Sequence, residues 1–131
     1  NKYRGNPTNL TNQSGNSIMS QSTTTAKMIA QLNDQFRGGD RTLGIFNASA
    51  SVASLPPDRL AAITTAIATF DDFNPDNDPY GEHDLGFIEL DGDHYIWKID
   101  YLDRDLKYLS KDPADPRLTR RVMNIMFANE Y

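Results

Sequence analysis

The chain of 131 residues predicts an α+β fold: a small antiparallel sheet of about three strands, with helices packed on one face, in the order α-β-α-β-β-α. Three observations carry this reading. Residues 24–37 and 56–70 space their apolar side chains as helices do. Asp91-Gly92 joins two apolar, β-rich stretches in the manner of a hairpin turn. Asp115-Pro116 heads a last helically spaced segment. One domain of this length buries roughly two-thirds of its unfolded surface.

The elements follow in order. Residues 1–23 are rich in Asn, Ser and Thr and lack apolar spacing, so they read as a flexible tail or an expression remnant, with Met19 as an alternative start; residues 24–131 form the domain. A first helix opens at a Thr24 or Thr25 cap, carries Ile29, Leu32 and Phe36 on one face, and stops at Gly38-Gly39. Thr42–Val52 reads as a strand with imperfect alternation. Pro56-Pro57-Asp58 opens a second helix whose stripe is Leu60, Ile63, Ile67 and Phe70; proline suits a first turn, and Asp58 faces the positive helix end. Residues 71–84 are Asp-, Asn-, Pro- and Gly-rich and form a loop. Leu85–Leu90 and His94–Leu102 are strands, and in the second the face of Tyr95, Trp97, Ile99 and Tyr101 packs on the helices. Asp115-Pro116 caps a last helix that buries Leu118, Val122, Ile125 and Met126 and leaves Arg117, Arg120 and Arg121 outside.

Composition excludes several functions. There is no cysteine, so disulfide scaffolds, thiolate zinc sites and cysteine nucleophiles are ruled out. No apolar run approaches the ~20 residues that span a bilayer, and no secretion signal is visible, which points to a cytoplasmic protein without membrane contact. The chain has neither a Gly-rich phosphate loop nor a Gly-x-Ser-x-Gly elbow. His83 and His94 are its only histidines, too few for a His-rich zinc site.

The net charge of −5 is unevenly placed. Residues 71–115 hold 14 Asp and Glu against 4 Lys and Arg. That middle third repels phosphate backbones, disfavouring direct duplex DNA binding, and attracts cations or basic partners. Within it Asp76, Asp78, Glu82, His83 and Asp84 fall close together. Hard cations want several oxygens, and a histidine beside carboxylates can ligate metal or move protons; the ligands of such a site would be Asp78, Glu82, His83 and Asp84. It is not an EF-hand, because position twelve from Asp76 is Phe87. The competing reading, which weighs more, is loop architecture: Asp and Asn side chains bonded to nearby backbone amides. Trp97 and Tyr101 read as core rather than a base-stacking platform.

Several motifs carry a family resemblance: Leu32-Asn33-Asp34-Gln35-Phe36-Arg37, Phe70-Asp71-Asp72-Phe73, the run from Asp76 to Gly86, Trp97-Lys98-Ile99-Asp100-Tyr101, and the tail from Asp112 through Tyr131. Together they resemble the Domain of Unknown Function 3768 family over about residues 26–131, with Leu85 standing where Phe is commoner. The resemblance implies a small bacterial protein, frequent in plasmid-bearing proteobacteria, and implies no established activity. It also implies that the acidic loop and the Trp-Lys-Ile-Asp-Tyr strand belong to one unit.

The expectation is therefore a non-enzymatic accessory or inhibitor protein. It would bind a basic surface, such as that of a nucleic-acid-binding protein, through Asp76, Asp78, Tyr80, Glu82, His83, Asp84, Asp91 and Asp93. A defence-evasion factor of anti-CRISPR or anti-restriction type is its specific version. The rivals are a metal-assisted hydrolase using the Asp/Glu/His loop and a self-associating domain paired through the hairpin edge. No cofactor is expected, and the oligomeric state is left open.

Overall fold

The computed structural model describes residues 15–131, with side chains from Thr24 onward. Helix α1 spans Gly15–Arg37, strand β1 Gly44–Ala48, α2 Ala50–Ala53, α3 Pro57–Thr69, β2 Leu85–Leu90, β3 Asp93–Leu102 and β4 Arg120–Phe127; a 3-10 turn, Ala128–Glu130, follows. The strands form one sheet in the order β1-β4-β3-β2. Pairs β2–β3 and β3–β4 are antiparallel, whereas β1 runs parallel to β4. The fold is α+β as expected, but the sheet is mixed and has four strands rather than three.

The fourth strand is the principal correction. The segment expected as the last helix is β4, threaded between β1 and β3. Its stripe of Leu118, Val122, Ile125 and Met126 fits a helix, but the buried positions are Arg121, Met123 and Ile125, a period of two. An arginine on the inward face hides that alternation, so Arg121 is fully buried instead of lying outside. Two smaller corrections concern boundaries. The strand expected over Thr42–Val52 ends at Ala48, where Ser49 caps the short α2 by accepting from the Val52 N–H at 3.3 Å. Helix α1 begins at Gly15 rather than at Thr24 or Thr25, since no Gly or Pro interrupts residues 16–37. Of the tail expected over residues 1–23, residues 1–14 lie outside the described residues.

The core forms as the patterns require. Ile29 and Phe36 of α1, Val52 of α2, and Ile63 and Ile67 of α3 pack on the face of β3 and β4 that presents Tyr95, Trp97, Ile99, Tyr101, Met123 and Ile125. The hairpin turn uses left-handed backbone at Asp91 (φ 52°) and Gly92 (φ 85°), as an Asp-Gly turn allows. At Gly44 a side chain would collide with the Arg121 backbone, so glycine lets β1 approach β4 there. The opposite sheet face carries no helix among the described residues. Across it Lys98 donates to Asp100 at 2.9 Å, Asn124 to Asp100 at 3.0 Å, and Asn47 to Asn124 at 3.0 Å, a polar ladder over three strands.

Candidate functional site

The loop between α3 and β2 folds on its own polar side chains. Asn74 accepts from the backbone N–H groups of Asp76 at 2.9 Å and Asn77 at 3.2 Å, and Asn77 donates back to the Asp72 carbonyl at 2.8 Å. Asp78 is buried and accepts from the N–H groups of Glu82 (2.9 Å) and His83 (3.2 Å). These closed turns demand left-handed backbone at Gly81 and at His83 (φ 58°).

His83 then ties the loop to α1. Its ring stacks on Phe73 with centroids 4.0 Å apart, and Nδ1 meets Asp34 Oδ1 at 3.0 Å; Nε2 lies 3.9 Å from Asp78 Oδ2. Arg37, one turn after Asp34, donates to Asp34 at 2.6 Å and to the carbonyls of Ile67 and Phe70 at 2.7 and 3.0 Å, closing the C-terminal end of α3. The same guanidinium lies 5.2 Å from the rings of Phe73 and Trp97.

Beneath the loop is a buried polar centre. Tyr101 donates to Glu82 Oε1 at 2.9 Å. Asn33 Nδ2 donates to the Tyr101 hydroxyl and to the Glu82 carbonyl, each at 2.9 Å. Arg121 Nε donates to Asn33 Oδ1 at 2.6 Å and its Nη2 to the Pro113 carbonyl at 2.7 Å. Asn33, Glu82 and Arg121 are each 0–1% exposed. Burial pushes the Tyr101 phenol well above its ordinary value, and the charge of Glu82 adds to the effect. Burial pulls the Arg121 guanidinium down, opposed by Tyr101 and Glu82. The centre joins α1, the loop, β3 and β4 at points far apart in sequence.

The residues expected to form a site therefore divide. Asp78, Glu82, His83 and Asp84 turn to different surroundings: Asp78 to backbone amides, Glu82 to Tyr101, and His83 to Asp34. Asp84 lies at the head of β2, beside a pocket of about 150 Å³ that Lys98, Asp100 and Tyr131 also line. Among the described residues no three His, Asp or Glu side chains gather to hold a metal ion. Asp76 and Tyr80 are exposed on the loop, and Asp91 and Asp93 on the hairpin tip, where Asp91 pairs with Arg59 at 2.8 Å. Loop and tip lie at opposite ends of β2, about 17 Å apart at ~3.4 Å per residue. Asn33, Asp34, Arg37 and Arg121 were missed as partners of the loop. A usable signal exists on α1: Asn33 and Arg37 fall four and eight positions after Ile29, on the face that Phe36 shares at seven.

Exposure separates the carboxylates further. Residues 60–97 contain no Lys or Arg. Of the acids in that stretch, Asp78, Glu82 and Asp84 are buried, whereas Asp71, Asp72, Asp76, Glu89, Asp91 and Asp93 are exposed. No described helix is long and apolar enough to cross a membrane.

Comparison with known proteins places this arrangement. Residues 48–130, more than half of the chain, match the family described as "Protein of unknown function (DUF3768)". No curated protein and no solved structure matches the chain. The matched span includes the loop, the hairpin and Arg121, while Asn33, Asp34 and Arg37 precede it. The chain belongs to the DUF3768 family.

Proposed function

We propose that this member of the family is a non-catalytic accessory or inhibitor protein of the cytoplasm that binds a basic macromolecular surface through the exposed carboxylates around β2. One observation carries the reading: six exposed acids flank or lie on β2, with no Lys or Arg in residues 60–97. Such a surface raises the association rate of a cationic partner and repels nucleic acid. A nucleic-acid-binding protein is the partner class whose phosphate-binding surface it fits, and a mobile-element defence-evasion role is the specific form of the proposal. The hydrolase alternative loses its support because Asp78, Glu82 and His83 are engaged with three different partners.

The test is affinity capture of host proteins on the immobilised chain and on a triple charge reversal, Asp76→Lys, Asp91→Lys and Asp93→Lys. A partner should be retained at roughly 0.05 M salt, released near 0.5 M, where screening falls to a few ångströms, and absent from the variant. Capture that ignores both salt and charge reversal overturns the proposal.

A further inference from the structure

We infer that the basic partner engages this protein as an extended segment that adds to the sheet as a fifth strand along β2. This rests on the binding reading above and specifies its geometry. The Ile99 N–H donates to the Asp84 carbonyl at 2.8 Å, and the register continues Leu85↔Lys98, Gly86↔Trp97, Phe87↔Ile96. Bonded pairs alternate in an antiparallel ladder, so Gly86 and Ile88 turn their N–H and C=O groups to β3, and Phe87 and Glu89 turn theirs outward. Among the described residues no strand pairs with that edge.

Natural edges are blunted by Lys, Pro or a bulge. Strand β2 has none of these over its six residues, and it presents Phe87, 54% exposed, beside the outward backbone groups. Charge then selects the occupant. A second copy pairing antiparallel on β2 would set each hairpin tip, with Asp91 and Asp93, beside the other copy's acidic loop, so like charges meet. A segment alternating basic and apolar residues sets its cations on the face of Phe87 and Glu89, where a lysine stem also covers the Phe87 ring, and its apolar side chains on the face of Ile88 and Leu90.

The experiment uses two synthetic peptides of alternating Lys and Val with identical side chains, one unmodified and one N-methylated along both edges. Strand addition requires the unmodified peptide to bind at least about tenfold tighter and to slow amide exchange at Phe87 and Glu89 by at least about tenfold. Phe87→Pro removes the outward N–H together with the ring and keeps the charge, so it should reduce binding of the unmodified peptide to the level of the methylated one, whereas Phe87→Ala, which removes the ring alone, should leave the unmodified peptide the tighter binder; circular dichroism checks that both variants fold. Equal, salt-sensitive binding of both peptides overturns strand addition and leaves the acidic-surface reading intact. Binding of neither at low salt overturns both. A dimer of the protein alone, abolished by Phe87→Pro, assigns the edge to a second copy and overturns the inference.

Discussion

The loop that precedes β2 and the hairpin tip that follows it are both acidic, yet only the loop turns part of its carboxylates inward, leaving Asp71, Asp72 and Asp76 outside. In the loop, Asp78 and Glu82 turn inward, one to cap backbone amides and the other to meet Tyr101 in the interior. At the tip, Asp91 and Asp93 stay in water, and the pairing of Asp91 with Arg59 is an exposed one. The physical difference lies in what each segment has to satisfy. A loop laid over a hydrophobic core must find partners for every backbone group it buries, and short acidic side chains supply acceptors. A two-residue Asp-Gly turn closes by backbone geometry alone and leaves its side chains free to face outward. Clustered negative charge in a sequence is therefore two things at once here: an internal frame and an external surface.

The frame is broken most severely at Arg121. Replacement by alanine strips the Asn33 oxygen and the Pro113 carbonyl of their donor and leaves Glu82 without a neighbouring cation in a buried site. The expected loss is on the order of 3–5 kcal/mol in chemical denaturation, enough to unfold a domain of ordinary stability. Lysine should not rescue it, because the fork that reaches two acceptors is lost. A loss below about 1 kcal/mol would mean that the inward carboxylate needs no frame, and the contrast with the tip would fail.

Tyr101→Phe sharpens the same side. It removes the hydroxyl that donates to Glu82 and accepts from Asn33, with an expected cost of about 1–3 kcal/mol at neutral pH. It also has a pH signature. The folded protein holds the Tyr101 proton more tightly than the unfolded chain, whose phenol titrates near its ordinary value of 10.0. That contribution is complete below pH 10 and declines as the pH rises toward the folded value. Denaturation midpoints followed from pH 8 upward should fall less steeply for the phenylalanine variant than for the native chain. Identical slopes would show that Tyr101 does not couple folding to the proton.

The two sides were not equally legible in the sequence. The hairpin could be read almost residue by residue: β2 occupies Leu85–Leu90 as expected, and β3 begins one residue early at Asp93, because turn chemistry and alternation are local properties. The inner face of Tyr95, Trp97, Ile99 and Tyr101 is likewise buried as read. The frame was not legible, because its partners are distant. Arg121 finds Asn33 across 88 positions, and Asn33 finds the Glu82 carbonyl across 49. No local pattern announces such a pairing. Lacking it, Arg121 looked like a solvent residue, and β4 took on the periodicity of a helix. The motif Asn33-Asp34-Gln35-Phe36-Arg37 carries part of the family resemblance, yet nothing within it marks its polar members as the floor beneath the acidic loop.

The smallest expected effect on stability tests the outer surface. Asp91 is 83% exposed, and Arg59 keeps its other donor on the Leu90 carbonyl when that carboxylate is neutralised. Asp91→Asn should change stability by less than about 0.5 kcal/mol, since exposed pairs are screened and contribute little. Combined with Asp93→Asn, it should still weaken retention of a basic partner at low salt, because those charges act through the surrounding field rather than through the fold. The paired measurement separates the two roles of an acid in this chain: thermal melts report the frame, and salt-dependent retention reports the surface. A destabilisation above about 1 kcal/mol at Asp91 would place the tip inside the frame, and the acids around β2 would then lose their distinction from those beneath the loop.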